Sequence, residues 1–449
     1  MSHFPRPVPG VFSGLRTAAA GLLGILTVSL QAEVWTLDRA VATALEHSPD
    51  ARLAHARMEA AAALVQQAQG AALPQLKVSG RYTETNSPML AFGAILNQRA
   101  FTDSIDFNRP GQIDNLNATG TISYTLYNGG RATAGRAAAR AGVAAAEQDV
   151  SAAHQQLAAE VIGATFALHK AREAETAIAS GVKAYEASLA VARARYEANK
   201  LLKSDLLSLE VQFAETRESL LSARHAAELA ARAFRFYLGL EASRDPIELA
   251  ANDPAWKRLA IPEGRDLAQH PQLLGLQARL RAAEAMVEAA QGTRRPTVNA
   301  FASYHYDQGW ELSRDATSWS AGVALDFNLF DGGQASGRVR QARAEMLQAR
   351  ERVRKAALGL ELAAERAQLA HADARERLAV AAGAVASAEE SAALTRARFE
   401  EQAVLIADVI GAESRLMQSR LRRTFAEADE RLAVVELRRA VGLSPLPEP

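Results

Sequence analysis

Leu116-Asn117-Ala118-Thr119-Gly120-Thr121-Ile122-Ser123-Tyr124-Thr125-Leu126-Tyr127, followed at once by Asn128-Gly129-Gly130, is the stretch on which the fold turns. Taken in steps of two, one face carries Leu116, Ala118, Gly120, Ile122, Tyr124 and Leu126, and the other carries Asn117, Thr119, Thr121, Ser123, Thr125 and Tyr127. A strand sends alternate side chains to opposite faces, so this ribbon has an apolar side and a wet side. The pattern returns with Trp319, Ala321, Val323, Leu325, Phe327 and Leu329 against Ser318, Ser320, Gly322, Ala324, Asp326 and Asn328, ahead of Phe330-Asp331-Gly332-Gly333. Leu76, Val78, Gly80 and Tyr82 alternate with Lys77, Ser79, Arg81 and Thr83. A fourth segment is less regular: Val298, Ala300, Ala302, Tyr304 and Tyr306 share a face, but Phe301 lies on the other. Period-two alternation over ten or so residues, with aromatics toward the ends, suits a strand with lipid on one side and a lumen on the other. An ordinary half-buried antiparallel sheet is the alternative for any one of them.

The two Gly-Gly turns belong to an internal duplication. Tyr127-Asn128-Gly129-Gly130 recurs 203 residues later, and so do Arg195-Tyr196-Glu197, Ser204-Asp205-Leu206 and Leu238-Gly239-Leu240. Upstream of the turns the offset is 222: His47-Ser48-Pro49-Asp50 matches Gln269-His270-Pro271-Gln272, and Pro74 matches Pro296. The 19-residue difference places a longer loop in the first copy, near 87–115. The expected division is residues 33–240, a linker over 241–262 containing Pro246, Pro254 and Pro262, and residues 263–449.

Each copy reads as helix, strand, strand, long helix, long helix. The first helix is expected over Leu37–Gly70, with Thr36 and Asp38 as capping candidates. Strands are expected near 75–86, 116–127, 297–306 and 318–329, and long helices near 131–199, 204–239, 334–401 and 405–441. Positions 143, 150, 157, 164, 171, 178, 185 and 192 are all apolar, as are 346, 353, 360, 367, 374, 381 and 388. Such a seven-residue stripe is a coiled-coil seam, on a helix roughly 100 Å long. The 98 alanines of the 449 residues suit close helix packing better than a large globular core.

The start of the chain reads as a secretory signal peptide over residues 1–32. Arg6 and Arg16 precede an apolar run, Thr17 to Leu30, with cleavage expected after Ala32. An uncleaved anchor is the alternative. Cysteine is absent, which excludes disulfides, thiolate sites and an N-terminal lipid-anchor cysteine. The 51 basic and 51 acidic residues cancel, so no global field selects nucleic acid. The nine histidines show no metal-ligand spacing, and no nucleotide-binding, zincin or nucleophile-elbow motif is present. No catalytic, cofactor or metal residues are therefore assigned. Four strands cannot close a barrel, for which about eight is the lower limit, so several chains must contribute.

With these features the sequence resembles the TolC-like outer membrane efflux family, over nearly the whole mature chain. The resemblance rests on the duplicated order of elements, the aromatic-x-Gly-Gly turns at Tyr127 and Phe330, and the Arg-aromatic stretch leading to Asp in both copies. It implies a mainly α fold with a small β part: as a homotrimer, a 12-stranded barrel in outer-membrane lipid, continued by an α-helical barrel across the periplasm. It further implies a non-enzymatic export duct of a Gram-negative cell, working with a periplasmic adaptor and an inner-membrane transporter of RND or ABC type. An outlet for type I protein secretion is the alternative, and an exported coiled-coil rod a more distant one. Gly129, Gly130, Gly332 and Gly333 would be strand-to-helix hinges, and Pro74 and Pro296 would mark helix-to-strand passages. The helix–helix turns, with Lys200 and Asp205 in one copy and Gln402 and Asp408 in the other, would form the periplasmic entrance. Asp408 falls where the family places a lumen-facing carboxylate, and three copies would make an acidic ring; capping of the returning helices by Asp205 and Asp408 is the other reading. Lys200 and Gln402 replace an expected tip glycine, Gly411 a possible acid and Val404 a possible gate arginine.

Overall fold

The computed structural model describes residues 33–106, 108–241, 246–250, 253–262, 264, 266–401 and 403–447. The expected signal peptide and Gln402 lie outside the described residues.

The described residues open with β1 (Glu33–Trp35) and α1 (Leu37–His47), whose N-cap Thr36 accepts a hydrogen bond from the Arg39 N–H. The helix expected to run unbroken to Gly70 stops at Ser48, and α2 (Pro49–Gly70) starts afresh. Proline disfavours a helical residue before it and lacks an N–H, so Ser48 is extended, at ψ 135°. Its hydroxyl then accepts from the Asp50 N–H as the cap of α2. The matching helix α7 (Pro271–Gly292) starts in the same way, with His270 in place of Ser48.

Four strands form one antiparallel sheet in the order β2 (Gln75–Thr85), β3 (Ile113–Tyr127), β5 (Thr297–Gly309), β6 (Arg314–Asp326). One face is open and apolar: Leu76, Val78 and Trp319 are 72%, 76% and 77% exposed. The other face is tied by side-chain hydrogen bonds, Thr121 to Ser303 at 3.1 Å and Asn117 to Asp307 at 2.9 Å. Phe301 breaks the alternation for a local reason. It stands opposite Gly322, and its ring covers the space that a Cβ there would need. The last strand lies three to four residues earlier than the expected 318–329, because its partner begins at Thr297, paired with Asp326. Pro296 has no N–H to extend the ladder toward Leu329.

At the end of the sheet remote from the long helices, the expected loop contains α3 (Pro88–Asn97), whose Ala91 and Ile95 pack on Ile113. Buried Asp114 accepts from the backbone N–H groups of Trp310 and Glu311, pinning the β5–β6 turn to this insertion. Gln98, fully buried, donates to the Asp114 carbonyl at 2.7 Å.

Beyond the Gly-Gly turns run α4 (Arg131–Glu197) and α8 (Gln334–Glu400), 67 residues each, with returning helices α5 (Lys203–Leu238) and α9 (Ile406–Ala440). The seam positions of α4 are buried or half-buried throughout, which is what an alanine-rich stripe against neighbouring helices requires. The largest core lies midway along α4, where Leu157, Val161 and Leu168 meet Trp35, Phe234 and Ile247. The linker contributes structure there. Its β4 (Ile247–Leu249) pairs in parallel with β1, and a short α6 (Ala255–Arg258) follows. Buried Asp253 accepts from the Leu37 N–H at 2.6 Å and the Ala255 N–H at 2.9 Å, so one linker carboxylate holds two helix starts.

Asp253→Ala should therefore lower stability by about 1–3 kcal/mol, the usual cost of stranding buried N–H donors; a thermal melt in detergent checks it. His270 gives a pH dependence. Its Nδ1 accepts from the Gln272 N–H at 3.2 Å, and burial, aided by the Arg439 charge, depresses its pKa below the ordinary 6.5. Neutral His270 is thus favoured by the fold: its contribution is complete above about pH 6.5 and is lost as pH falls toward the depressed value. His270→Ser, which recreates the Ser48 cap, should flatten this part of the stability–pH profile.

Candidate functional site

Two places gather the residues singled out from sequence: the junctions where sheet becomes helix, and the far tip where the long helices turn back. At the junctions Gly129 and Gly130 have φ of +72° and +88°, and Gly332 and Gly333 have +64° and +88°, a left-handed turn open to glycine at little cost. Asn128 and Asp331, which sequence reasoning did not single out, fasten the starts of α4 and α8. The Asn128 Oδ1 accepts from the Ala132 N–H at 3.1 Å, and Asp331 accepts from the N–H groups of Gly333 and Ala335 at 2.9 and 2.6 Å. Those N–H groups, chiefly that of Ala335, hold the Asp331 carboxyl below the usual carboxylate range. The signal was present in the sequence as Asn or Asp directly before each glycine pair.

Pro74 and Pro296 stand immediately before β2 and β5, on the other connections between helix and sheet. Next to Pro296, Arg295 reaches the Gly129 carbonyl at 3.2 Å, so the first hinge rests on the end of α7.

At the tip, Tyr185, Leu189, Ala192 and Leu209 of the first hairpin pack with Phe399, Ile406 and Val409 of the second. Polar ties cross the same boundary. The Tyr185 hydroxyl donates to the Ile410 carbonyl at 3.3 Å, Arg195 donates to the Glu400 carbonyl at 3.3 Å, and the Arg195 guanidinium lies 4.3 Å from the Phe399 ring centre. Burial, with the Glu413 charge beside it, pushes the Tyr185 phenol up to about 12, so it stays a donor across the working pH range. Glu413 in turn pairs with Arg396 at 3.0 Å. The ties made by Tyr185 and Arg195 were not legible in the sequence, because each joins hairpins about two hundred positions apart.

The tip residues singled out from sequence fall as follows. Asp408 is exposed in the first turn of α9, and its Oδ2 accepts from the Leu405 N–H at 3.0 Å, which is a capping role. Asp205 is half-buried in the first turn of α5. Lys200 is exposed, but the left-handed turn residue is its neighbour Asn199, at φ +55°. Asparagine tolerates that conformation better than lysine, so the glycine-like position is one residue earlier than expected. The Lys200 N–H closes the turn on the Arg195 carbonyl at 2.8 Å, and Ala403 does the same on Arg398.

The model of the family described as "Outer membrane efflux protein" matches residues 40–240 and 264–443. Protein CyaE of Bordetella pertussis is 28% identical over 415 residues, covering 90% of this chain and 83% of its own length. The fold is that of VceC from Vibrio cholerae, an outer membrane protein (TM-score 0.74, 19% identity, 91% and 96% of the two chains), and of the CmeC outer membrane channel of Campylobacter jejuni (0.78, 16%, 96% and 94%). A match spanning both halves, on a chain that carries an amphipathic four-stranded sheet on paired long helices, places this protein in the outer membrane efflux protein family: it is an efflux channel of the Gram-negative outer membrane that reaches into the periplasm.

Proposed function

We propose that the protein is the passive, homotrimeric exit duct of a tripartite pump. It would move small molecules such as drugs, toxic compounds or metal ions from a periplasmic adaptor and an RND- or ABC-type transporter to the outside. The observation that carries this reading is the sheet. It has an apolar face, a polar face and two free edges, β2 and β6, and both of its long helices leave from the same end. Three such sheets supply twelve strands, enough for a lumen. Nothing in this arrangement needs chemistry; the walls exclude lipid and guide cargo. The polar lining formed by Thr121, Ser303, Asn117 and Asp307 supports a wet passage.

The helical tip is the proposed entrance. Tyr185 and Arg195 tie one hairpin to the other, and the tie sets how closely the tips approach. Asp205 and Asp408 are proposed to line or border this entrance. For Asp408 the capping bond to Leu405 supports the structural role over a cation-selecting ring.

In planar bilayers the purified protein is expected to give discrete conductance steps, and outer-membrane fractions should contain heat-sensitive trimers; a water-soluble monomer would refute the duct. Tyr185→Phe combined with Arg195→Ala should raise single-channel conductance by loosening the tip, while an unchanged conductance would remove this contact from the entrance. Asp408→Ala should leave cation selectivity unaltered if the carboxylate only caps α9; a changed selectivity would restore the ring. Drug and metal resistance of a deletion strain, set beside its secreted proteins, separates small-molecule efflux from the protein-secretion alternative.

A further inference from the structure

Basic and acidic residues balance over the whole chain, 51 of each, but not at the end of the sheet where the long helices begin. Residues 115–146 hold no Asp or Glu, and the first turns of α4 hold Arg131, Arg136 and Arg140. Residues 332–344 hold none either, and α8 opens with Arg338, Arg340 and Arg343. Arg294 and Arg295 mark the crossing from α7 to β5, where residues 289–306 again lack acid. Asp331, in the turn itself, is taken up by the N–H groups of Gly333 and Ala335. Farther along the helices arginine meets acid, as Arg193 meets Glu210 at 2.9 Å and Arg420 meets Glu389 at 2.8 Å. Among the described residues none of the junction arginines forms an ion pair. All are exposed except Arg136, which is half-buried. The far end of the sheet has the opposite character, with Glu84, Asp103, Asp106, Asp114, Glu311 and Asp315.

The apolar face fixes where this collar lies. Aromatic rings border that face at both ends: Tyr82 and Trp310, 5.9 Å apart, at the far end, and Tyr124 and Phe327 at the helix end. On β3 the apolar row from Leu116 to Leu126, at about 3.3 Å per residue and a tilt of about 40°, stands roughly 25 Å tall. That is the height of an outer-membrane apolar band, so the first turns of α4 and α8 enter the headgroup layer below it. Arg140 lies within about 15 Å of the turn, at 1.5 Å rise per residue. In α8 the buried positions Val339 and Ala342 turn toward α7, and Arg338 and Arg343 stand about 100° round on either side of them. One of the two therefore emerges on the outer surface of the wall. Arg136 shares a crevice of about 330 Å³ with Tyr124 and Leu126 of the apolar row.

Building on the reading of the chain as a membrane duct, we infer that this arginine collar binds the phosphate headgroups of anionic phospholipids in the periplasmic leaflet. Arginine's planar fork takes phosphate oxygens two at a time, and its aliphatic stem tolerates the edge of the hydrocarbon. The occupant is a lipid and not a soluble anion because the collar continues the apolar face. An acyl chain on the sheet and a phosphate on the arginines belong to one molecule. The acidic far end repels the same headgroups, so the collar also fixes which way and how deep the sheet sits.

The test reconstitutes full-length protein in vesicles of equal parts phosphatidylcholine and phosphatidylglycerol, re-extracts it in mild detergent and measures the retained lipid by mass spectrometry. The parent should hold phosphatidylglycerol roughly fivefold above phosphatidylcholine, the factor equivalent to about 1 kcal/mol for one basic residue at an anionic surface. Arg136→Gln, Arg140→Gln, Arg338→Gln and Arg343→Gln together should bring the ratio close to one at unchanged helix content, while lysine at the same four positions should keep most of it. Should the fourfold variant fail to assemble, the α4 pair and the α8 pair are replaced separately, and at least one should lower the ratio about twofold. The inference is overturned if the parent shows no preference or if the glutamine variants retain it. It is also overturned if inorganic phosphate strips the preference, which would make this a soluble-anion site. A glutamine variant that keeps its lipid but shifts the channel toward cations would place the arginines in the lumen and overturn it equally. A conducting channel without lipid preference defeats this inference alone; a water-soluble monomer would defeat the duct itself.

Discussion

Unpaired backbone N–H and C=O groups at a sheet edge have no partner in hydrocarbon, and this constraint governs the rest of the molecule. The four strands of one chain leave two such edges, on β2 and β6. Closure has to come from other copies, and the apolar face of the sheet then meets lipid while the hydroxyl and amide face meets water. The helices inherit the geometry: both long helices leave the sheet through left-handed glycine turns, so whatever closes the strands also sets the long helices side by side.

Small side chains carry the consequence along the periplasmic length. A tube wall one helix thick cannot build a deep core, and buried clusters are correspondingly local, among them one midway along α4, one at the tip and one at the far end of the sheet. Between them, alanine seams let helices approach without bulky interdigitation. The linker adds to the packing at the midpoint, where Asp253 secures α1 and α6 and the β1–β4 pair brings Trp35 and Ile247 into the core.

The tip combines a packed apolar cluster with a few directional ties. Tyr185 and Arg195 donate to main-chain carbonyls on the opposite hairpin, and such bonds fix position without pairing two side-chain charges. Each of these contacts is of modest strength, on the order of 1 kcal/mol, so the two hairpins are held by several weak ties around one apolar cluster.

From the residues alone, the two-sided strands, the long apolar seams, the glycine turns and the need for several chains were all legible, because each depends on periodicity or on local φ/ψ demands. What lay beyond the sequence were features set by a distant partner. Where β6 ends is decided by Pro296, just before the neighbouring strand; Phe301 faces the polar side because Gly322 lies opposite; and part of the expected linker carries structure, with Asp253 reaching Leu37. Lys200 stands where a tip glycine was expected, yet the left-handed residue is Asn199, which tolerates that backbone better than lysine. Asp408 was ambiguous in sequence between ring and cap, and the bond from Leu405 shows the capping contact. Local pattern determined which elements form and which faces they bury. Only the tertiary structure decided registers, strand ends and tip contacts, since these follow from which groups far apart in the chain are left to satisfy one another.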